Sequence, residues 1–318
     1  MLSGDRLGMR SRLWNGIRLG ARAMVFDRLD FRFDTAHTPH GRRELARLIE
    51  DVFEIDVTPL DRLGHDPSVV SFGWWDGETL VANVSLYERR LRLLGRDLAA
   101  FGMQSVATRP EWRRRGLFGD LMRRALDYAD ARAELVILGT ATPEVYAPFG
   151  FRPIREFSCS GPIVPTVEPA EARLLSLSDD ADAALLRDLF ALRAPVSDVC
   201  AASDHPALFM LKALEDEDVR LLHLPRLDAV VAVEASEPGG SGRLVLLDVV
   251  APQIPPLARI AAAVDARIRF VEVQLTPDKL GWTPAEVVAE DTGYLVRGVW
   301  PLDGMPDSVP AMLTSMVI

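Results

Sequence analysis

The chain has 318 residues, a formal net charge of -10, and hydrophobic residues at 48% of its positions. This length favours two domains over one, and the negative charge argues against nucleic-acid binding, which depends on basic residues that neutralise phosphate. An acidic balance suits a small cationic ligand. No apolar stretch reaches the ~18 residues that a membrane span needs, so we expect a cytoplasmic protein without an integral membrane segment.

The cysteines and histidines predict neither a disulfide framework nor a metal site. Cys159 and Cys200 are the two cysteines, and they lack zinc-ligand spacing, so we expect reduced and partly buried thiols. The histidines form no HExxH or HxH pattern, and no metal is expected. The basic segment 1–29 lacks the apolar core of a secretory signal, and we expect a surface-docked or poorly ordered extension.

Residues 30–160 alternate between helical and strand patterns. Apolar residues recur at helical spacing in 41–53, and Asp76-Gly77 separates β-branched and aromatic runs as in a hairpin. These patterns predict one mixed α/β domain. Its expected elements are a helix at 41–53, antiparallel strands at 68–74, 79–90 and 91–108, a helix at 116–132, a strand in AELVILGTA, a short helix from Pro143 and a strand in FGFRPIREFSCSG.

The second half of the chain repeats this order after a proline-rich linker at 161–170. Its segment LVLLDVVAPQIPPLARIAAAVDA reads as strand, turn and helix but lacks glycines and an arginine cluster. We therefore predict a duplicated domain at 171–318 with one working copy in the chain. Its expected elements are helices at 180–192, 206–215 and 255–265 and strands at 219–224, 227–235, 243–250, RIRFVEVQL and GYLVRGVWPL, the last of which closes the second unit.

The segment RRRGLFG, residues 113–119, lies between a predicted strand and a predicted helix. A helix N-terminus has unpaired backbone N–H groups and a positive dipole end, and it therefore binds phosphate. Glycine lets the backbone approach the ligand, and arginine adds bidentate contacts to phosphate. The segment is neither a P-loop nor a Rossmann fingerprint. It predicts a pyrophosphate cradle, with a solvated basic turn as the alternative.

Tyr146, thirty residues beyond Gly116, lies in the segment EVYAPFGF, residues 144–151. Together, the two motifs resemble the GNAT superfamily of acetyl-CoA-dependent N-acetyltransferases, and most closely its Eis-like branch with tandem GNAT domains. The resemblance implies that the strand before the turn pairs with the pantetheine arm of acetyl-CoA, the cosubstrate, and that Tyr146 protonates the departing thiolate. The cofactor-binding residues it implies are Val106, Ala107, Thr108, Arg113, Arg114, Arg115, Gly116, Leu117, Phe118, Gly119, Ala141 and Thr142.

The chain departs from this pattern at two places. Phe118 stands where the generic motif has a small residue, a change that the Eis-like branch shares. Eis-like enzymes also carry a sterol-carrier-like third domain whose C-terminal carboxylate acts as base, and we expect no such domain before Ile318. The base is therefore not implied by the resemblance. Glu54, Asp56, Glu88, Glu144 and a water chain stay open as proton acceptors.

Tyr146 is also a chemically reasonable proton donor. Attack of an amine on a thioester expels a thiolate, which benefits from a positioned acid, and a phenol can protonate it at hydrogen-bond distance. Trp74 and Trp75 flank the predicted hairpin, and strand alternation predicts that only one of them points inward. We interpret that one as a core residue.

These observations predict a fold of the α/β class with tandem GNAT-like domains, the second of them degenerate. The predicted function is N-acetyltransfer from acetyl-CoA to a primary amine of a small cationic acceptor. Two alternatives remain: a non-catalytic acyl-CoA-binding or scaffold protein, and a tandem acyltransferase of the mycothiol-synthase type, whose working copy is the second. The sequence does not identify the acceptor, and a homo-oligomer is left open.

Overall fold

A computed structural model describes residues 26, 28–166, 171–203, 205–235, 242–306 and 310–313. Most of the predicted N-terminal extension lies outside the described residues. The fold is of the α/β class with two mixed sheets, which confirms the predicted class. Two compact units can be distinguished, residues 1–57, 67–86 and 103–129, and residues 58–66, 87–102 and 130–318. The predicted domain ranges 30–160 and 171–318 remain predictions.

The first unit contains an antiparallel meander and two helices. The helix α1 begins where it does because the Thr38 hydroxyl accepts a hydrogen bond from Gly41 N at 2.9 Å and Pro39 occupies the first turn. A Cβ at Gly41 would lie 2.0 Å from the Thr35 carbonyl oxygen, so only glycine fits there. The elements are β1 (Asp30–Phe33), a 3-10 helix (Thr35–His37), α1 (Pro39–Phe53), β2 (Val70–Asp76), the first part of β3 (Thr79–Leu93), the end of β4 (Arg96–Thr108), a 3-10 helix (Pro110–Trp112) and most of α3 (Leu117–Asp130).

The amphipathic pattern of α3 is confirmed. The apolar residues that recur at helical spacing are all buried on one face of the helix. Burial of such side chains supplies most of the stability of a surface helix. The buried residues are Leu117, Leu121, Met122, Ala125, Leu126 and Ala129.

Both tryptophans at the hairpin are buried, so the prediction that only one points inward was wrong. Trp75 joins a core cluster with Leu48 and Leu80. Trp74 packs edge-on against Phe31 with ring centroids 5.6 Å apart, and its indole N–H donates to Asp120 at 3.1 Å. The register of β2 against β3 shifts between Trp74 and Trp75, so simple strand alternation does not hold across this pair, and each ring has packing partners of its own.

The second unit contains parts of two sheets. In one, the strand order within the unit is β3-β4-β5-β15-β6, with β9 paired to β3; in the other it is β14-β7-β13-β12-β11-β10-β8. The elements are α2 (Leu60–Leu63), β5 (Leu135–Gly139), 3-10 helices (Pro143–Val145, Ala147–Phe149 and Pro225–Leu227), β6 (Arg152–Pro153), β7 (Glu156–Pro162), β8 (Arg173–Leu174), α4 (Asp180–Ala191), β9 (Cys200–Ser203), α5 (Pro206–Glu215), β10 (Val219–Leu224), β11 (Ala229–Glu234), β12 (Arg243–Val250), α6 (Leu257–Val264), β13 (Phe270–Val273), β14 (Glu286–Glu290) and β15 (Tyr294–Arg297).

Several local predictions need correction. The segment after Phe149 forms two strands, β6 and β7, and β7 pairs with β13 and β14. The last strand, β15, does not close the second unit's own sheet, because it pairs with β5 and β6. The expected short helix from Pro143 is a pair of 3-10 helices. Strands β1, β8, β9 and β14 and the short helix α2 were not predicted.

Arg297, on β15, connects three distant parts of the second unit. Its guanidinium forms a bidentate pair with Asp130 at the end of α3, with one contact at 2.8 Å. Its Nε donates to the Phe149 carbonyl at 3.0 Å. Gly150, directly after this carbonyl, has a φ of 84°, which glycine adopts without strain. Arg297 therefore fixes the end of the turn that begins at Tyr146.

We expect Arg297→Met to lower the free energy of unfolding by about 1–2 kcal/mol, because it removes a bidentate ion pair and a charge-assisted bond to a carbonyl. The matched control is Arg152→Met, which removes an exposed bidentate pair with Asp303 and should cost less than about 1 kcal/mol. Urea denaturation measures both, and equal losses would contradict the role of the carbonyl contact.

Candidate functional site

The predicted cradle is the turn between β4 and α3. The strand ends at Thr108, and the helix begins at Leu117. Arg114 and Gly116 have φ values of 61° and 91°. Such left-handed positions aim consecutive backbone N–H groups into a concave surface that binds anions. Gly116 occupies one of them without the steric cost that a Cβ carries.

All three arginines of the turn are exposed. Arg113 Nε donates to the Thr108 carbonyl at 3.1 Å. Arg115 donates to the Glu111 carbonyl at 2.7 Å, and its guanidinium lies 4.7 Å from the centre of the Trp112 ring. These contacts hold positive charge beside the N-terminus of α3, where the helix dipole also favours an anion.

The predicted cofactor residues of β4 follow a break in the strand. Val106 and Thr108 are half-buried, and Ala107 is buried. Ser105 has a φ of 51°, an unusual value for a residue other than glycine within a strand. The buried Asn83 donates from Nδ2 to the Ser105 carbonyl at 2.8 Å. This contact holds the strand in its distorted form directly before the three predicted residues.

The helix residues of the cradle differ in their surroundings. Leu117 is fully buried on the apolar face of α3, while Phe118 and Gly119 are half-buried. A Cβ at Gly119 would lie 3.7 Å from the Arg123 guanidinium, an ordinary contact. The protein itself therefore leaves room for a side chain at 119, and an approaching ligand would be the reason for glycine there.

Tyr146 lies between the 3-10 helices Pro143–Val145 and Ala147–Phe149. Its side chain is 8% exposed, and its ring packs edge-on against Phe151 with centroids 6.0 Å apart. Burial raises the pKa of the Tyr146 hydroxyl above its ordinary value, because the charged phenolate is poorly solvated there. The group is therefore held protonated, as a proton donor must be.

Ala141 and Thr142 are exposed in the loop that leads from β5 to Tyr146. The Thr142 N–H donates to the Thr140 hydroxyl at 3.0 Å, which fixes this loop locally. The carboxylates left open as bases, Glu54, Asp56, Glu88 and Glu144, are all exposed. Exposure alone therefore does not distinguish one of them from the others as a base.

The two cysteines are free and buried. Burial raises the pKa of the Cys159 thiol to about 11 and also raises the pKa of Cys200. Neither is therefore a thiolate near neutral pH, and both behave as small core residues.

Glu156 is a buried carboxyl that the sequence patterns did not single out. It is 1% exposed at the start of β7. The sequence around Glu156, EFSCSGP, contains no recognisable motif. The one signal that could have indicated Glu156 is a charged residue at the start of a predicted strand.

Part of the chain is similar to a known protein family. Residues 38–154 match the family described as "Acetyltransferase (GNAT) domain". The match covers less than half of the chain, so it is a likeness of this segment to GNAT acetyltransferase domains. The matched range includes the turn at 113–119, the loop at 141–142 and Tyr146, so all predicted site residues lie inside the matched range.

One curated relative is an uncharacterised N-acetyltransferase from Streptomyces avermitilis, 31% identical over 134 residues. The match covers 42% of this chain and spans about a third (31%) of the relative's length. The relative therefore supports the GNAT domain rather than the whole protein.

Solved structures share the fold over most of the chain. Eis1 from Mycobacterium abscessus aligns with a TM-score of 0.55 and 16% identity, covering 85% of this chain and 73% of that one. A probable N-acyltransferase from Enterococcus faecalis aligns with a TM-score of 0.54 and 13% identity, with the same coverage. At such identities these likenesses concern the fold. No helix among the described residues has the length and apolarity required to span a membrane.

We expect Gly116→Val to weaken acetyl-CoA binding at least about tenfold, because a β-branched residue strains the left-handed position and crowds the N–H groups of the turn. Isothermal titration calorimetry measures the affinity. The matched control is Gly95→Val, at a hairpin position with a φ of 75° and no atom within 4 Å of the added Cβ. It should cost similar stability and leave affinity unchanged. Unchanged affinity in Gly116→Val would make the turn a simple helix start.

Proposed function

We propose that this protein is an N-acetyltransferase that transfers the acetyl group of acetyl-CoA to a primary amine of a small cationic acceptor. The observation that carries the proposal is the arginine- and glycine-bearing turn at the N-terminus of α3, within the range that matches GNAT domains. Its backbone conformation, exposed arginines and helix dipole together suit a pyrophosphate group. A functional assay would measure thiol release from acetyl-CoA over polyamines, aminoglycosides, amino acids and peptide amines.

The end of β4 suits the pantetheine arm. The parallel ladder between β4 and β5 consists of the pairs Ala100–Leu135, Phe101–Val136 and Gly102–Ile137. Residues 106–108 come after the last of these pairs and after the distortion at Ser105. Their backbone groups are thus candidates for hydrogen bonds to the amides of pantetheine.

We further propose that Tyr146 is the general acid. In this mechanism, the amine attacks the thioester carbonyl, the C–S bond breaks, and the leaving sulfur takes the proton of the Tyr146 hydroxyl. The position of Tyr146 in the EVYAPFGF motif supports the role, and its hydroxyl, whose pKa is raised by burial, is protonated at neutral pH and available as a donor. The Eis-like assignment within the GNAT superfamily also belongs to this proposal.

The second strand–turn–helix segment, β12–α6, supports a single cofactor site in each chain. The Ala251 carbonyl, directly after β12, already accepts a hydrogen bond from Ala194 N at 2.9 Å. The first N–H of its helix is also used, because Leu257 N donates to the Leu280 carbonyl at 2.8 Å. The chain's own backbone thus satisfies groups that a cofactor would need.

We therefore expect acetyl-CoA to bind with a stoichiometry of one per chain. Calorimetry measures the stoichiometry directly. Crosslinking with a photoreactive CoA analogue, followed by mass spectrometry, should label residues near 113–119. Two equivalent sites, or labelling at 250–258, would contradict the single cradle and favour a working second copy.

We expect Tyr146→Phe to lower kcat at least about 10²-fold, because positioned proton transfer contributes roughly 10²–10⁴ in rate. Acetyl-CoA affinity should stay within a few-fold, since the ring's packing is kept. Tyr128→Phe is the matched control, because Tyr128 packs among Phe33 and Phe72 and lies outside the proposed chemistry. The measurement is steady-state kinetics with an amine that is active in the thiol-release assay; the polyamines, aminoglycosides, amino acids and peptide amines of that assay form the amine panel. Near-normal kcat in Tyr146→Phe would remove the residue from the mechanism.

A further inference from the structure

The second compact unit contains a cavity of about 470 Å³, and four of its eleven lining residues are acidic. These are Glu215, Glu272, Glu290 and Asp291, and the lining also includes the ammonium group of Lys212. Glu272 is paired with Arg243, and the other three carboxyl groups still outnumber the single ammonium, which favours a cationic occupant. Two further features of the cavity connect it to the proposed chemistry.

The first feature is the position of the cavity at the end of β5. Tyr294 lines the cavity and pairs with Gly139, the last residue of β5. Next to this pair, Thr140 N donates to the Gly293 carbonyl at 3.0 Å. Thr140 opens the loop that leads to Tyr146, so one wall of the cavity is bonded to the base of that loop.

The second feature is a buried carboxyl behind the lining. One oxygen of Glu156 accepts a hydrogen bond from the Thr292 hydroxyl, and the other accepts from Leu313 N at 2.6 Å. Both donors belong to residues that line the cavity. Glu156 is therefore one hydroxyl group away from the cavity while remaining almost fully excluded from solvent.

The charges around Glu156 leave it able to gain and lose a proton near neutral pH. Burial raises its pKa to about 7, against the opposing effects of the Thr292 and Leu313 hydrogen bonds and of the Arg89 guanidinium. Arg89 is itself buried and donates to the Tyr87 hydroxyl. The pKa of the Cys200 thiol is raised by burial and by the nearby carboxyl groups of Glu156 and Asp278, so this thiol is neutral.

We infer that this cavity binds the acceptor as a protonated primary amine and that Glu156, through the Thr292 hydroxyl, accepts the proton that the amine must lose. The inference rests on the proposed acetyltransferase function. Glu156 thereby fills the role of general base, which no sequence motif of the chain assigns. Thr292 is the group that touches the acceptor, and Glu156 acts through it.

In this reaction two protons leave the acceptor nitrogen, one through Thr292 and one through Tyr146. One N–H bond of the ammonium breaks, its proton goes to Thr292 Oγ1, and the hydroxyl's own proton goes to Glu156. The nitrogen keeps the electron pair and attacks the acetyl carbonyl, and the C–S bond breaks. The thiolate takes the Tyr146 proton, and the second proton of the acylated nitrogen restores the tyrosine. After product release, Glu156 returns its proton through Thr292 to water in the cavity.

The test compares Glu156→Gln with the wild-type enzyme, using the panel amine that gives the highest turnover. The wild-type profile of kcat/KM should bend near pH 7, apart from the amine's own pKa, which is titrated on the free compound. Glu156→Gln should lose this bend and about 10²-fold of kcat/KM at pH 7.5, with acetyl-CoA affinity within a few-fold. Glu44→Gln is the matched control, a buried carboxylate that accepts from Leu80 N, and its profile should be unchanged.

A second pair of variants serves if Glu156→Gln does not fold. Thr292→Val removes the relaying hydroxyl and should reproduce the loss, whereas Thr292→Ser keeps it and should stay within a few-fold of wild type. If valine and serine give the same profile as wild type, the relay is overturned.

The pH dependence of the free energy of unfolding tests Glu156 without any amine acceptor. The folded state holds the Glu156 proton more tightly than the unfolded chain, since its pKa rises from 4.5 to about 7 on folding. The free energy of unfolding should therefore fall as pH rises through this window, and this fall should be smaller in Glu156→Gln. An identical pH dependence would overturn the assignment of Glu156.

Failure of the proton relay and failure of the acetyltransferase function give different results. Turnover by wild type with an unchanged profile in Glu156→Gln overturns the relay and leaves the acetyltransferase function standing. Absence of wild-type turnover with every amine of the panel overturns both.

Discussion

The pairing of β15 with β5 and β6 is the constraint on which the parts of the second unit that we propose to be functional depend. Without β15, β5 would present an unpaired edge along Val136–Gly139, where it now has antiparallel partners. The same short strand supplies Arg297 to the turn after Tyr146 and Tyr294 to the cavity. A strand of four residues near the C-terminus thus determines both the shape of the loop that carries Tyr146 and a wall of the cavity beside it.

This constraint also marks the limit of what the sequence could predict. Helix α5 and strands β10 and β12 have the predicted ends, and the buried face of α3 is the predicted one, because such patterns arise from neighbouring residues. The apolar pattern of β15 predicted a strand correctly but not its neighbours. Pairing partners depend on contacts far apart in the chain, and any open strand edge of similar composition satisfies the same local pattern.

The candidate site divides in the same way. Gly116 and the arginines before it could be selected from the sequence as candidates, because a phosphate-binding turn needs glycine, positive charge and a helix start within a few residues; their role in binding stays a prediction. The distortion at Ser105 was not, since it depends on Asn83, which lies 22 residues earlier and bonds to a carbonyl. Glu156 was also missed, because its environment is assembled from Arg89, Thr292 and Leu313, and only the fold brings these together.

Burial acts on the proposed acid and the proposed base in the same direction. Exclusion of water disfavours the charged form of any group. For Tyr146, whose hydroxyl is already protonated at neutral pH, burial raises the pKa further. For Glu156, whose ordinary pKa is far below neutrality, the same effect raises the pKa to about 7, against the opposing effects of the Thr292 and Leu313 hydrogen bonds and of Arg89. A carboxyl whose pKa lies near the working pH can both accept and release a proton. Burial therefore matters for the proposed role of Glu156 far more than for that of Tyr146.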